Sequence, residues 1–255
     1  MAASSLDICR AAAEVPSAPT VAHFDAVGAN EGWSTAGVES RRFCTAVVRT
    51  SDRVRLTSLP VRPIEHAGEG ELAVSRAGTI AAARLTVDDG DPIVIVSVYC
   101  AWERPLDGGG WIYADASAHR VVSDLCALVS TQRAHRVLVA DDWNLLHRYG
   151  EHGSAYWGAR YQTVFDRMEA IGFRYCGPQL SEADAALRSR PEEMPLGCRD
   201  VSTYRTARDD PATATRQLDF VFASGGIADR VRTRALDGDE WGPSDHCRIE
   251  IMLDV

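Results

Sequence analysis

Carboxylate, amide and imidazole side chains stand beside several apolar runs of this sequence. The first group follows the run Val137-Leu-Val-Ala, after which Asp142 and Asn144 stand two positions apart. Residues two apart in a strand point to the same side, so these two side chains leave the predicted strand together. A carboxylate and an amide in that place form an oxygen-rich corner suited to Mg²⁺, or to a phosphate and its attacking water. An Asx turn that only closes the strand is the alternative interpretation.

Two further polar groups stand close to apolar runs nearer the end of the chain. Asp219 interrupts an apolar run, which is costly unless the carboxylate is paired, although an alternation that faces solvent would explain it equally well. Asp245 and His246 precede the last apolar run. An adjacent aspartate and histidine offer a metal ligand and a group that exchanges a proton near neutral pH. A lone histidine before a strand is more often structural, so each group is weak evidence by itself.

The elements that must position these groups follow from the hydrophobic pattern. Residues 79–87 and 93–99 predict a hairpin, and its second strand is apolar on both faces, as is typical of a buried central strand. The remaining predicted elements are helices at 6–15, 116–129 and 161–171, strands at 43–48, 136–140, 218–223, 231–236 and 247–253, and a long surface loop at 177–200. Strands with interspersed helices fit two sheets that are flanked by helices.

Composition narrows the possible chemistry. The chain has 255 residues and a net charge of −9, and all 27 of its basic residues are arginine. Because lysine is absent, a P-loop nucleotide site and Schiff-base chemistry are excluded, and any phosphate clamp must use arginine. The acidic charge argues against a general nucleic-acid coat. The loss of lysine is typical of a GC-rich bacterial genome.

Cysteine usage and hydropathy predict a cytoplasmic protein. The seven cysteines form no CxxC pair, and their odd number and irregular spacing suit a reducing compartment. The longest uncharged apolar run covers residues 93–102, which is far shorter than the roughly 20 residues that a membrane-spanning helix needs. The first residues lack the apolar stretch of a signal peptide. We therefore expect no membrane insertion.

Taken in order, the motifs resemble the endonuclease/exonuclease/phosphatase superfamily, which includes deoxyribonuclease-like and abasic-endonuclease-like enzymes. In that superfamily a strand ends in Tyr. Three motifs come next, namely Gly-Asp-Xaa-Asn, an Asp that follows Thr-Tyr or Thr-Trp, and a terminal Ser-Asp-His. The matching residues are Tyr99, Asp142-Trp-Asn144, Thr203-Tyr204 with Asp219, and Ser244-Asp245-His246. The resemblance covers roughly residues 40–255. It implies a single domain over 1–255, a four-layer α/β sandwich whose two mostly antiparallel sheets pack face to face with helices outside.

The same resemblance implies a phosphoesterase that uses Mg²⁺ or Mn²⁺. His246 would stabilise charge on the phosphate or move a proton, and Asp219 would orient His246. Asp142 would activate or position the attacking water, and Asn144 would hold the scissile phosphate. This division of labour suits phosphoryl transfer, which depends on positioning and charge neutralisation more than on covalent chemistry.

The resemblance implies Asp245 as a metal ligand, but it is incomplete near the N-terminus. Superfamily members carry an early strand with an Asn, and a later strand with a Glu that is a principal metal ligand. Residues 20–27 fall where the second of these strands belongs, and they offer Asp25, which is one methylene shorter than Glu. Glu31 is a second candidate beyond that strand. The helix predicted at 6–15 would be the superfamily's first helix, so we expect the first strand to be missing.

Three interpretations of this departure remain open. The missing strand lies upstream of an incorrectly assigned start, the shortened enzyme is active through Asp25, or the chain is a non-catalytic relative. A further departure is Asp141, which stands where the superfamily usually has Gly. We expect this carboxylate to face away from the metal and to need a partner there.

Other polar residues near the motifs are candidates for substrate contacts. Tyr99 is implied to contact the phosphate, and Arg148 and Arg160 are candidate substrate-binding residues. His147 and His152 are predicted to lie in a solvated loop at the mouth of the cleft, because their spacing fits no structural zinc pattern.

The predicted function is therefore Mg²⁺-dependent hydrolysis of a phosphodiester by a nuclease or phosphodiesterase, with DNA or RNA as candidate substrates. Two alternatives stay open. One is a phosphatase that acts on a small phosphorylated metabolite or a lipid head group, and the other is a non-catalytic binding module. The acidic charge and the lack of lysine weigh against a long nucleic acid as substrate.

Overall fold

The computed structural model describes residues 4–7, 24–25, 45–49, 53–88, 90–103, 114–129, 135–187, 190–206, 209–236, 241 and 244–254. The strands in chain order are β1 (Ser4–Asp7), β2 (Phe24–Asp25), β3 (Val48–Arg49), β4 (Val54–Leu59), β5 (Val61–Pro63), β6 (Leu72–Val74), β7 (Ile80–Val87), β8 (Ile93–Tyr99), β9 (Val137–Asp142), β10 (Phe173–Gly177), β11 (Asp219–Ser224), β12 (Val231–Ala235) and β13 (Ile249–Leu253). The α-helices are α1 (Ala114–Leu125), α2 (Ala155–Ala170) and α3 (Glu182–Leu187).

A six-stranded sheet forms the centre of the described structure, with the strand order β10-β11-β9-β8-β7-β4. Its neighbours are antiparallel except for β8 and β9, which are parallel. Parallel neighbours need a long crossover, and the connection that contains α1 provides it. A second sheet has the order β1-β13-β12 and is antiparallel throughout. The predicted pair of mostly antiparallel sheets is confirmed.

The two faces of the central sheet have different partners. In β11, Phe220 and Phe222 pack with α1 and α2, whereas Val221 and Ala223 pack with the second sheet. Successive strand residues alternate between the faces, so one apolar run contributes to two cores. The resulting layers are helices, central sheet and second sheet.

The N-terminal segment differs from the prediction. Residues 4–7 form β1, which pairs antiparallel with β13 from Ser4↔Leu253 to Asp7↔Glu250. The helix predicted from residue 6 is therefore wrong for Leu6 and Asp7. Strand β1 carries no Asn, and the absence of the superfamily's Asn-bearing first strand stays a prediction. Pairing with the backbone of β13 outweighs the weak local helix pattern, because an unpaired strand edge leaves polar groups unsatisfied. Residues 8–23 lie outside the described residues.

Several predicted boundaries shift for local reasons. Helix α2 begins at Ala155, six residues before the predicted start, because Ser154 caps it and accepts a hydrogen bond from the Trp157 N–H at 3.4 Å. Gly172 has a φ of 93°, as predicted for the residue after a helix end. Of the described residues 45–48 in the segment predicted as a strand at 43–48, only Val48 lies in a strand, which continues to Arg49 and pairs with β2.

Besides β1, the strands β4, β5, β6 and β10 and the helix α3 were not predicted. The edge strand β4 carries alternating polar residues, and β10 follows α2 after only two residues. Helix α3 lies within the segment predicted as a surface loop at 177–200. That segment is not wholly exposed, because Met194 and Asp200 are each 1% exposed. Its burial reflects contacts that are distant in sequence, which a local pattern does not reveal.

The described residues contain no helix that is long and apolar enough to cross a membrane.

Candidate active site

Three strand ends meet at one end of the central sheet. β8 ends at Tyr99, β9 ends at Asp142, and β11 begins at Asp219. The register pairs Tyr99 with Asp142 and Asp142 with Asp219. Directly paired residues share a face of the sheet, and by alternation this face is the one that packs on the second sheet. Asp142 and Asp219 are 1% and 4% exposed, so two carboxylates are buried side by side.

His246 completes this group from a separate segment of the chain. Its Nδ1 lies 2.8 Å from Asp219 Oδ2, and both side chains are almost fully buried. In a neutral imidazole this pairing places the proton on Nδ1, so Nε2 is the nitrogen that can act on a substrate. The ligand atoms of Asp142, Asp219 and His246 all lie within 4.8 Å of one another. We call these three residues the acidic–histidine cluster.

Thr203 forms hydrogen bonds with the two chain segments that carry Asp219 and His246. Its buried Oγ1 accepts hydrogen bonds from the backbone N–H groups of Leu218 at 3.0 Å and Asp219 at 3.2 Å. Its carbonyl accepts a bond from the Cys247 N–H at 2.8 Å. One threonine thus holds the backbone at Asp219 and the residue that follows His246. This explains why a Thr-Tyr pair precedes the Asp219 strand.

Arg205 holds the segment before His246 and was missed in the sequence. Its backbone N–H donates to the Asp245 carbonyl at 2.9 Å, and its guanidinium donates to the Ser244 carbonyl at 2.9 and 3.2 Å. The guanidinium also lies 5.8 Å from the ring centroid of Trp241. The feature of the sequence that could have indicated this role is its position directly after the Thr203-Tyr204 pair. Such a forked donor fixes the path of the backbone that carries His246.

Asp142 and Asn144 form the Asx turn that was the alternative interpretation, and the turn is part of the cluster. The Asn144 N–H donates to Asp142 Oδ1 at 3.0 Å, and Asn144 Nδ2 donates to Asp142 Oδ2 at 2.9 Å. Nδ2 also donates to the Cys100 carbonyl at 3.0 Å. Asn144 has a φ of 52°, which asparagine adopts more readily than most residues. The amide therefore orients the carboxylate of Asp142.

The neighbouring Asp141 has a partner, but on the face that was not expected, because Ser97 pairs with Ala140 and so shares the face of Asp142. Ser97 Oγ donates to Asp141 Oδ2 at 2.8 Å, and Thr45 Oγ1 lies 3.4 Å from the same oxygen. Asp141 has a φ of 112°, which favours the glycine that the superfamily usually has there. Burial, and then the charges of Asp142 and Asp141, raise the pKa of Cys100 well above its usual value. The thiol of Cys100 is therefore protonated and is a poor nucleophile.

Arg148, Arg160 and Asp245 are not part of this cluster. Arg160 Nη2 bonds Asp115 Oδ2 at 2.5 Å and so joins α2 to α1, and Arg148 is exposed beside α2. Asp245 is partly exposed, and its carbonyl accepts the bond from Arg205. Asp25 lies in β2 opposite Arg49 of β3. The roles of Tyr99, Asp245, Asp25, Arg148 and Arg160 in binding stay predictions.

His147 corrects the prediction of a solvated loop. Its side chain is 6% exposed, and its Nδ1 lies 2.8 Å from Asp200 Oδ1. The segment after β9 turns inward because Trp143, Leu145 and Leu146 are each 1% exposed and belong to the helix-side core. His152, in contrast, is exposed as expected.

The acidic–histidine cluster has donors that fit a divalent cation. Carboxylate oxygens suit Mg²⁺, which is typically held by one or two carboxylates, and Mn²⁺ also accepts an imidazole. Asp142 and Asp219 supply such oxygens from adjacent strands, and the site is buried enough to strengthen the attraction. The predicted ligand Asp245 is not among the three clustered residues.

Comparison with solved structures identifies similar folds. The AP endonuclease LMAP from Leishmania major matches with a TM-score of 0.51 and 18% identity, over 79% of this chain and 61% of that one. An AP endonuclease from Archaeoglobus fulgidus matches with a TM-score of 0.45 and 15% identity, over 68% and 65% of the two chains. The 3′–5′ exonuclease NExo from Neisseria meningitidis matches with a TM-score of 0.44 and 14% identity, again over 68% and 65%.

The first of these matches confirms the predicted fold, which is similar to that of an AP endonuclease. The chain spans about 61% of the length of the Leishmania protein. No protein-family model matches the sequence, and no curated protein matches it.

Proposed function

We propose that the chain hydrolyses phosphodiesters in a reaction that depends on a divalent metal ion. The observation that carries the proposal is the acidic–histidine cluster, in which two carboxylates and an imidazole share one buried corner at the end of the sheets. Burying these groups costs free energy, and they are retained where they perform chemistry more often than by chance. A fold like that of an AP endonuclease supports the proposal, although a fold does not by itself select an activity.

His246 is the proposed acid–base group. Asp219 fixes its ring orientation through the 2.8 Å bond to Nδ1. In the imidazolium form, in which Nε2 also carries a proton, this N–H stabilises the negative charge that grows on a phosphate oxygen, or gives its proton to the leaving alkoxide and leaves the imidazole neutral. Because Asp219 is buried next to the imidazole, it also stabilises the imidazolium form during the reaction.

Asp142 is the proposed base for the attacking water. The water oxygen forms a new bond to phosphorus while the bond to the leaving oxygen breaks, and Asp142 accepts the proton of the water. Asn144 holds the carboxylate through two hydrogen bonds. A phosphate can contact the Asn144 amide only if one of its bonds, to Asp142 or to Cys100, is exchanged. Tyr99, which pairs with Asp142 in the sheet, is the proposed second phosphate contact.

Asp245 and Asp25 are the proposed ligands of Mg²⁺ or Mn²⁺, beside a carboxylate oxygen of Asp142, because Asp219 is engaged by His246. When bound, the cation supplies positive charge that neutralises the phosphate and polarises its P–O bonds. This supply matters in a chain with a net charge of −9, because its 36 carboxylates outnumber its 27 arginines and repel a phosphate.

The test of this function is hydrolysis by the purified chain of bis(p-nitrophenyl) phosphate and of a short DNA duplex, with Mg²⁺, Mn²⁺ or chelator. We expect turnover of the diester with either metal and none with chelator. A p-nitrophenyl monoester is the comparison substrate, and faster turnover of the monoester would favour the phosphatase alternative. If the folded protein hydrolyses none of the three substrates, the proposal is contradicted, and the alternative of a non-catalytic binding module is favoured.

A further inference from the structure

A second buried histidine–aspartate pair lies outside the proposed active site. His147 and Asp200 are joined through Nδ1 and Oδ1 at 2.8 Å, and their side chains are 6% and 1% exposed. The ring of His147 packs on Phe165 at 4.7 Å and on Tyr175 at 5.0 Å between centroids. A buried ionisable pair of this kind is a candidate for binding whenever one of its atoms reaches a cavity.

This pair faces the other side of the central sheet. The His147 ring lies 6.2 Å from the ring of Phe220, whose side chain points to the helices. Asp219 precedes Phe220 in the same strand, so its side chain points to the opposite face, toward the second sheet. His147 and the acidic–histidine cluster are therefore separated by the sheet, and a ligand of one does not contact the other.

A pocket of about 240 Å³ opens at His147, between α2 and β10. Its aromatic walls include Phe165 and Tyr175, and its polar rim includes Arg148, Asp166 and Glu169. The volume lies below the range of about 300–1,000 Å³ that is usual for drug-sized ligands. The pocket therefore suits a small ligand of one or two fused rings.

The polar groups of the pocket specify complementary atoms on a ligand. His147 lines the pocket and its Nδ1 is engaged by Asp200, so a ligand would bond to Nε2, which accepts a hydrogen bond in a neutral imidazole. The guanidinium of Arg148 can only donate. A ligand therefore needs an N–H group and an acceptor close together on one rigid edge. A nucleobase has this pattern, and its flat face can stack on aromatic walls.

The charges at the rim oppose a phosphate. Asp166 and Glu169 place two carboxylates beside the pocket. Arg174 also lines it, but its guanidinium is held by Asp229 through bonds of 2.7 and 3.2 Å. Of the two arginines among the described residues that line the pocket, Arg148 is therefore the one that can bind a ligand. A dianionic phosphate would meet more negative than positive charge.

We propose that this pocket binds an uncharged nucleobase or nucleoside, in preference to the corresponding nucleotide. His147 accepts from the base, Arg148 donates to it, and the aromatic walls hold its ring. The site is independent of the proposed hydrolytic activity, because its residues and its face of the sheet are different.

Isothermal titration of the full chain with adenosine, guanosine, cytidine and uridine, and with their 5′-monophosphates, tests the proposal. At least one nucleoside should bind, and its monophosphate should bind roughly 10-fold more weakly or worse because of repulsion by the rim. Arg148→Ala should weaken the nucleoside roughly 10-fold or more, as expected for loss of a charged donor. The matched control is Arg232→Ala, which removes an exposed arginine of the second sheet and should not change binding.

Two further variants make the outcome decisive. Glu169→Gln removes one rim charge and should narrow the ratio between nucleoside and monophosphate. His246→Ala should leave nucleoside binding unchanged. The proposal is overturned if no nucleoside binds, if Arg148→Ala binds as tightly as the wild type, or if the monophosphate binds more tightly than the nucleoside. Loss of binding in His246→Ala would instead place the ligand in the acidic–histidine cluster.

Discussion

Replacement of Asp219 by asparagine isolates the charge that acts on His246. Asp219→Asn keeps the size and most of the shape of the side chain, but it replaces a carboxylate oxygen 2.8 Å from Nδ1 by a neutral amide. Both residues are buried, at 5% and 6% side-chain exposure, so water does not replace the lost charge. The variant should fold, because the bonds between Thr203 and the backbone of residues 218 and 219 do not involve the carboxylate.

The size of the effect follows from this geometry. A hydrogen bond to a charged group contributes about 1.5–3 kcal/mol, and each 1.4 kcal/mol corresponds to a factor of about ten in rate. We therefore expect kcat for diester hydrolysis to fall roughly 10- to 150-fold. KM should change little, because Asp219 is proposed to act through His246 and not on the substrate.

Initial rates with bis(p-nitrophenyl) phosphate at saturating Mn²⁺ measure both constants, and thermal unfolding with and without Mn²⁺ separates catalysis from folding. A matched control is Asp229→Asn, which removes an exposed carboxylate that pairs with Arg174. If Asp219→Asn retains the kcat of the wild type while remaining folded, Asp219 does not support His246, and the proposed acid–base pair is refuted.

Three further predictions concern stability and reactivity. Gly177→Ala should cost about 1–3 kcal/mol in the free energy of unfolding by urea, because φ is 101° and a Cβ would lie 2.6 Å from Thr233 Oγ1. Gly197→Ala is the control, because Gly197 also has a positive φ, of 73°, but a Cβ there would have no atom within 4 Å. This variant measures the cost of the backbone conformation alone. An equal loss of stability in both variants would refute the clash between the added Cβ and Thr233. Arg160→Ala should destabilise by about 1–3 kcal/mol because it leaves the buried Asp115 uncompensated, and an unchanged urea midpoint would contradict this. Burial raises the pKa of Cys176 to about 11. The rate at which Cys176 is alkylated, measured by mass spectrometry, should therefore increase with pH up to about 11, because the thiolate is the reactive form. A rate that stops increasing near pH 9 would contradict the effect of burial.

The local sequence pattern predicted an element correctly where a single apolar run determines that element. The strand that ends at Tyr99 is continuous in β-branched residues, and its observed bounds match the prediction. The runs that end at Asp142 and begin at Asp219 lie in adjacent strands, and this adjacency brings the predicted carboxylates together. The order of the motifs also predicted the fold, because each motif is attached to a strand end.

Features that depend on distant partners were not predictable from local pattern. Leu6 lies in a strand because β13 offers a backbone edge more than two hundred residues away in sequence. His147 is buried because Asp200 meets it from another segment, and polar residues at such spacing look like a solvated loop. The support that Arg205 gives to the backbone before His246 likewise depends on a contact across the fold.

The most direct test of the central claim is turnover of a phosphodiester by His246→Ala, Asp142→Ala and the double variant, each measured against the wild type with Mn²⁺. The acidic–histidine cluster predicts that each single variant loses roughly 10²-fold or more in kcat, as expected when an acid–base group is removed. The double variant should lose less than the product of the two single losses, because both residues act on one step. Wild-type turnover in both folded single variants would show that hydrolysis does not take place at this cluster.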